Sequence, residues 1–344
     1  MIATGRPDTE SLETVIKAQA YGLGFDLVGV ARLGSVGTAD HFARWLERGY
    51  AGDMTYLSRG AEKRTDTRLP FEGVQSAIVV ALDYGGREPA GPVARYARGD
   101  DYHDVIVDRL NDVHRWIEGR LERTVRGKAY VDTGPILERD LARLAGLGWF
   151  GKNTMLINPR LGSFFFLGAL FIDLALQPDA PFESEHCGSC TRCLDACPTG
   201  ALVEPHILDA TRCISYLTIE LKGDIPQPLQ ASVGDLMYGC DICQDVCPWN
   251  MKFAHELGEP AFAPRPAIAG RDARALASDI AAMDDESFRT AFKDSPMKRA
   301  KLRGLKRNAA VVLDNVAAAG DGPRQSAASI VVEGSRTGSS SNDL

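Results

Sequence analysis

The sequence predicts a layered domain of the α+β or α/β class, followed by a cysteine-bearing module and a short C-terminal helical region. Three observations predict this. Strand-like and helical segments alternate up to about residue 177. All eight cysteines fall between Cys187 and Cys247. Beyond about residue 258 the apolar spacing is helical. The divisions expected are therefore 1–177, 178–258 and 259–319. The Gly-, Ser- and Asp-rich stretch 320–344 lacks a core-forming run and is expected to be disordered.

Residues 8–22 carry a helical pattern, and FDLVGVARL from Phe25 to Leu33 alternates as a strand does. His41 to Arg48 reads as helix, and SAIVVALDY, Ser76 to Tyr84, as a buried strand bounded by Gly85 and Gly86. Tyr102 to Glu122 is amphipathic, with Val105, Ile106, Leu110, Val113 and Ile117 along one side. The strand KAYVDT then leads into a helix from Ile136 to Ala145. Phe164 to Leu176 is the most apolar stretch, but it is too short to span a bilayer and Asp173 interrupts it, so it reads as a buried element. Two prolines between Gln177 and Pro181 end that run and mark a boundary. Pro260, Pro264 and Pro266 suggest a surface crossing before helices near Asp272–Met283 and Leu305–Ala319. Arg307–Gly320 resembles a single helical-repeat unit.

The 344 residues carry a formal charge of −7, which gives no overall attraction to nucleic acid. One strip runs against this. KRAKLRGLKR, residues 298–307, holds Lys298, Arg299, Lys301, Arg303, Lys306 and Arg307 with no acid among them. It reads either as a solvated basic helix face or as a footprint for an RNA backbone. The N-terminus has no basic segment followed by an apolar stretch and a cleavage site, so the expectation is a cytoplasmic chain. With no apolar run long enough to span a bilayer no membrane partner is expected, and a monomer is the expected state.

Cysteine crowding of this kind points to a metal site. Cys187, Cys190, Cys193 and Cys197, followed by Pro198, fit the C-x2-C-x2-C-x3-C-P run of two-cluster ferredoxins, in which the fourth thiolate serves the other cluster. Cys240, Cys243 and Cys247, followed by Pro248, repeat the ending with one cysteine fewer, and Cys213 restores the count. The crossing rule then gives cluster 1 as Cys187, Cys190, Cys193 and Cys247, and cluster 2 as Cys197, Cys213, Cys240 and Cys243. Structural zinc also takes four cysteines but gives no reason for the unbroken run or its near repeat. Two four-iron cubanes ligated at every corner carry electrons and leave the reacting centre to something else.

Two further features stand out. Gly146 to Asn153 matches G-x-G-x-x-G, but a helical pattern precedes it where a nucleotide loop needs a strand, so it reads as a glycine-rich turn that serves either packing or close approach of a large ligand. Asp132, in VDTGPILERD, falls at the end of a strand and before a turn. It is a candidate proton donor or, equally, a cap for the following helix. His103 and His114, in the amphipathic helix, read as surface or capping groups, and His186, beside Cys187, is not needed as a ligand once eight cysteines are partitioned. Asp100–Asp101 and Asp284–Glu286 read as solvated faces or caps.

The segments YARGDDYHDVIVDRL (96–110), VDTGPILERDLARLAGLGWFGKNTMLINPRLGSFFFLG (131–168), CGSCTRCLDACPTGAL (187–202), RCISYLTIE (212–220) and YGCDICQDVCPWN (238–250) together resemble the epoxyqueuosine reductase family, over roughly residues 10–318. The resemblance implies two [4Fe-4S] clusters and a base-off cobalamin held between the layered domain and the cluster module. It implies a tRNA bearing epoxyqueuosine as substrate and an external low-potential electron donor. It also implies cob(I)alamin as nucleophile toward the epoxide, with Asp132 as proton donor. Cobalamin contacts are expected from Arg98, Asp132, Lys152, Asn153, Met155, Ser215, Lys222 and Asp241. Asp101 and His103 are spaced like the start of the D-x-H-x-x-G cobalamin motif, with Ile106 in the glycine's place. Two rival readings are a corrinoid-dependent reductive dehalogenase and a ferredoxin-like electron-carrier subunit.

Overall fold

The computed structural model describes residues 10–319; the tail expected to be disordered lies outside them, as do the first residues of the helix expected from residue 8. The chain begins with α1 (Leu12–Gly22), β1 (Leu27–Ala31), α2 (Ala39–Glu47), α3 (Thr55–Ser58), β2 (Ser76–Asp83), α4 (Tyr102–Leu121), β3 (Gly127–Tyr130) and α5 (Glu138–Leu144). A short hairpin, β4 (Trp149–Phe150) and β5 (Leu156–Ile157), precedes β6 (Phe165–Ile172).

The main sheet has the order β1-β2-β6-β3, and every pairing in it is antiparallel. Alternation along the strands sends two sets of side chains to opposite faces. Val28, Val30, Ile78, Val80, Leu82, Leu170 and Ile172 meet Ile16 of α1 and the Ile106, Leu110, Val113, Ile117 stripe of α4. Ala77, Val79, Ala81, Ala169 and Phe171 meet Leu141 and Ala142 of α5. The layers expected from sequence are present, but the sheet is not the parallel one in which ligands gather at strand carboxyl ends. The setting of Asp132 therefore comes from its own loop and neighbours and not from a parallel-sheet strand end.

Ile106 is wholly buried, and a Cβ on Gly168 of β6 would stand 2.7 Å from its Cγ2. The side chain in the motif's glycine position thus packs α4 onto the sheet. The Gly146–Asn153 turn serves packing as well, since a Cβ on Gly148 would meet the Ile157 carbonyl at 2.2 Å, inside the β4–β5 hairpin.

The cysteine module contains α6 (Arg192–Asp195), the hairpin β7 (Leu202–Glu204) and β8 (Ile207–Leu208), α7 (Ile214–Ile219), α8 (Gln227–Val233), α9 (Ile242–Asp245) and α10 (Pro248–Phe253). The C-terminal region contains α11 (Ala273–Ala282), α12 (Asp285–Ala291), a 3-10 turn over Pro296–Ala300, and α13 (Lys301–Ala318). Asp284 caps α12 by accepting from Ser287 N at 2.8 Å, as an acidic cap should. Leu276, Ile280, Phe292, Met297, Leu305 and Val312 form a third core against Val93, Met237 and Tyr238, so this region packs onto the rest of the chain instead of standing as a separate repeat.

Candidate functional site

Asp132 follows β3 at a φ of 55°, in the left-handed region that costs a non-glycine residue energy and persists only where its surroundings impose it. Thr133 N donates back to Val131 O at 2.6 Å, so the chain turns sharply and projects the carboxylate outward, with its side chain 69% exposed. The helix-capping alternative does not describe it. The cap position of α5 is Leu137, with no side-chain hydrogen bond.

The Tyr102 hydroxyl donates to Asp132 Oδ2 at 3.0 Å. Its ring is held between Phe166, parallel at 4.2 Å, and His103, at 4.1 Å. His103 Nε2 stands 3.9 Å from the same Asp132 oxygen, while its Nδ1 contacts Asp101 Oδ1 at 2.6 Å. Asp101 is buried at the N-cap of α4 and also receives Lys298 Nζ at 3.0 Å. Burial works against its charge, yet the His103 and Lys298 hydrogen bonds hold its carboxyl well below the usual carboxylate range. Tyr102, His103 and Asp101 therefore form the support of Asp132, a role that their sequence pattern alone does not assign. The signal is present in the consecutive Asp-Tyr-His of residues 101–103 at a helix start.

A rim surrounds this carboxylate. Arg299 donates to both Glu220 oxygens, at 3.1 and 3.0 Å, and lies over the Tyr56 ring at 5.4 Å. Burial and the Glu220 charge push the Tyr56 hydroxyl up to about 12. Tyr56 and Leu69 are two of the large apolar side chains left exposed among the described residues, and Leu69 adjoins the Pro70 carbonyl that accepts the Tyr130 hydroxyl. Below the Asp132 loop, burial first and the Asp132 charge second push Glu138 up to about 8, and its Oε1 is buried with no hydrogen-bond partner.

The eight thiols lie in the module behind. Cys193 has Cys247 and Cys187 as its charged neighbours, and Cys247 has Cys187 and Cys190. Cys240 has Cys213 and Cys197, and Cys243 has Cys240 and Cys213 first and then Cys193 and Cys197, one from each group. Burial, then this crowding, pushes these thiols upward, Cys193 to about 11. Cysteine is the ligand that iron–sulfur clusters take, four to a cubane; among the described residues no three of these side chains already converge on a single metal ion.

The other expected contacts are engaged within the protein. Lys152 Nζ donates to the carbonyls of Gly188 and Cys190, at 2.6 and 3.0 Å, and Asn153 Nδ2 to that of Cys243 at 3.2 Å, so this turn clamps the cysteine loops. Met155 closes the same turn through its backbone, its carbonyl accepting from Gly151 N. Arg98 is buried and donates to the Val93 and Pro89 carbonyls, while its Nη2 has no partner. Asp241 pairs with Arg95 at 3.0 Å. Ser215 lies on α7, and the Lys222 backbone, just beyond that helix, donates to Asp53 at 3.1 Å.

The basic strip divides. Lys298 and Arg299 are tied to Asp101 and Glu220. Arg307 turns inward and donates to the carbonyls of Leu217, Leu221 and Gly223, so the structure gives it to the end of α7. Lys301 and Arg303 are exposed and Lys306 half-buried.

Comparison with known proteins bears on what these residues do. The family model described as "Epoxyqueuosine reductase QueG, DUF1730" matches residues 64–133, and that of a "4Fe-4S double cluster binding domain" matches residues 186–250. The epoxyqueuosine reductase of Pseudomonas aeruginosa is 41% identical over 319 residues, covering 90% of this chain and 87% of that one. A crystal structure of an epoxyqueuosine reductase with an epoxyqueuosine-modified tRNA stem loop superposes with a TM-score of 0.78 at 31% identity, covering 88% of this chain and 81% of that one. A Bacillus subtilis epoxyqueuosine reductase with its catalytic aspartate loop swung out of the active site gives 0.77 at 30%, with the same coverage. The relative from Leadbetterella byssophila is 42% identical over 302 residues, 86% of this chain and 97% of its own length, and the chain belongs to the epoxyqueuosine reductase family.

Proposed function

We propose that this chain reduces the epoxide of epoxyqueuosine in tRNA to the alkene of queuosine, in the cytoplasm, with Asp132 as the proton donor. The balance is two electrons and two protons consumed and one water released. The observation that carries this reading is the exposed Asp132 carboxylate, held outward in a left-handed turn by Tyr102 with a double-cluster module behind it. Family membership sets aside the dehalogenase and carrier-subunit readings.

Cobalamin, when bound, supplies the nucleophilic centre that opens the epoxide. The residues fit such a group: Tyr56 offers exposed apolar surface within reach of the Asp132 charge, and Ser215 and Lys222 lie at and just beyond α7, next to Glu220. Asp132 then delivers a proton to the departing oxygen, and Tyr102 fixes which carboxylate oxygen faces it. His103, anchored by Asp101, limits where the loop can swing. Lys301, Arg303 and Lys306 follow Lys298 and Arg299 in sequence, which suits an RNA backbone reaching the same side.

We assign cluster 1 to Cys187, Cys190, Cys193 and Cys247, and cluster 2 to Cys197, Cys213, Cys240 and Cys243; the two groups of neighbouring thiols support this division. Cluster 2 is the one toward the reacting face. Cys240 adjoins Gly239 and Tyr238, the Tyr238 ring lies 6.3 Å from that of Tyr96, and Tyr96 lies 6.3 Å from Tyr102. Cluster 1 lies toward solvent, flanked by exposed His186, Gly188 and Ser189.

Anaerobically reconstituted protein with cobalamin and a reductant should convert an epoxyqueuosine-containing stem loop to queuosine, seen as loss of one oxygen by nucleoside mass spectrometry. No conversion of the RNA, with turnover of a haloaromatic instead, would overturn the reading.

A further inference from the structure

A shallow cleft of about 410 Å³ opens beside α10, and its lining shares no residue with the surroundings of Asp132 described above. Arg87, Arg160, Lys252 and His255 line it, all exposed, with Glu256 as the acidic residue among them. Arg192 extends the charge, reaching Met251 Sδ at 3.9 Å, and Met251 is itself 52% exposed. None of the four Arg and Lys side chains pairs with a carboxylate among the described residues. That distinguishes them from Lys298 and Arg299, which are tied to Asp101 and Glu220. Arg87 Nε donates to the Ala254 carbonyl at 2.6 Å and Lys252 lies over the Phe253 ring at 5.0 Å, which leaves both charges without a counter-ion. On a chain of net charge −7, a cleft lined by three Arg and Lys side chains without a carboxylate partner, with Arg192 on the neighbouring Met251, is a local reversal of sign.

The cleft is also wired to a cluster. Phe253 in its wall stacks on Trp249 with ring centroids 5.5 Å apart and planes at 21°. Trp249 packs against the small buried group of Trp149, Ile157 and Cys247, against which Cys187 also packs; Cys247 and Cys187 are two of the cysteines assigned to cluster 1. One pair of aromatic rings thus separates the basic surface from the outer cluster.

We propose that this cleft is the docking surface for the electron donor, an acidic one-electron carrier protein that delivers electrons to cluster 1. The proposal rests on the two-cluster reading above. The donor is oxidised by one electron per encounter and cluster 1 is reduced by one. Exposed basic groups steer the acidic partner, and Phe253 in the wall with Met251 beside the cleft gives the contact apolar surface.

The test uses the full chain with both clusters reconstituted, and follows bleaching of cluster absorbance by stopped flow. Reduced plant-type ferredoxin serves as the acidic donor and methyl viologen radical as a small one. The double variant Arg160→Glu/Lys252→Glu should slow reduction by ferredoxin about tenfold or more at low salt and flatten its salt dependence, the loss expected when electrostatic steering is removed. Reduction by the methyl viologen radical cation should not be slowed, and affinity for the tRNA stem loop should be unchanged. The milder Arg160→Gln/Lys252→Gln should shift the ferredoxin rate in the same direction by less. An unchanged ferredoxin rate and salt slope in both variants would overturn the proposal, and so would a loss of stem-loop affinity with the ferredoxin rate intact, which assigns the cleft to RNA. Failure of methyl viologen to bleach the parent chain would strike the two-cluster reading instead.

Discussion

The Tyr102 hydroxyl and Asp132 Oδ2 lie 3.0 Å apart across 30 residues of chain, joining the first turn of α4 to the loop after β3. The tyrosine cannot swing away, because Phe166 and His103 hold its ring from both sides. Tyr102→Phe keeps the stack and removes the donor. A hydrogen bond to a charged group is worth about 1.5–3 kcal/mol, so the turn should loosen and turnover should fall roughly tenfold or more, with substrate affinity little changed. Steady-state kcat and KM on the modified stem loop separate these two effects.

Cys213 stands apart from both cysteine runs, at the start of α7, and its burial pushes its thiol up. Cys213→Ala should remove one corner of cluster 2 and leave cluster 1 intact. Iron analysis should fall from about eight to about four per chain, the count expected for cubane clusters. Stoichiometric zinc in the parent protein would contradict the cluster assignment.

The divided basic strip makes two different expectations. Neutralising Lys301, Arg303 and Lys306 should weaken stem-loop binding and lower the slope of log affinity against log salt by about 0.7–0.9 for each phosphate that the variant no longer neutralises. Arg307→Ala should act on stability, since three carbonyls at the end of α7 lose a charged donor. Thermal unfolding together with binding isotherms distinguishes the two.

Glu138 gives a pH dependence with a definite sign. Burial raises its carboxyl to about 8 from an ordinary 4.5. Between those values the unfolded chain loses this proton and the folded chain keeps it, so the group's contribution to stability is greatest below 4.5 and is lost as pH rises through 8. Glu138→Gln should therefore stabilise the protein at pH 8 and above, by an amount that shrinks toward pH 5. An equal effect at both ends, read from melting temperatures across that range, would contradict this origin.

Much of this is legible in the sequence because it is local. The thiolate runs announce their chemistry by spacing alone, and the α4 stripe by its period. The Asp132 support is less legible because its parts meet only in three dimensions. Asp101 and His103 look like a broken cofactor motif, yet Ile106 is buried core and Asp101 is a cap that clamps His103. Arg307 looks like one more surface charge until the carbonyls of residues 217–223 fold beneath it. The antiparallel sheet is hidden for a related reason, since alternating strands and helices fix layers but not the direction of pairing.

Single-turnover conversion of epoxyqueuosine stem loop by Asp132→Asn, started from enzyme already reduced, measures the proton step free of electron delivery. The variant keeps the shape of the side chain and should keep both clusters, the cobalamin and the affinity for RNA. A positioned proton donor contributes about 10²- to 10⁴-fold in rate, and that loss is the expected result. Conversion at the parent rate, or a loss traced wholly to failure to bind cobalamin, would show that the proton comes from elsewhere.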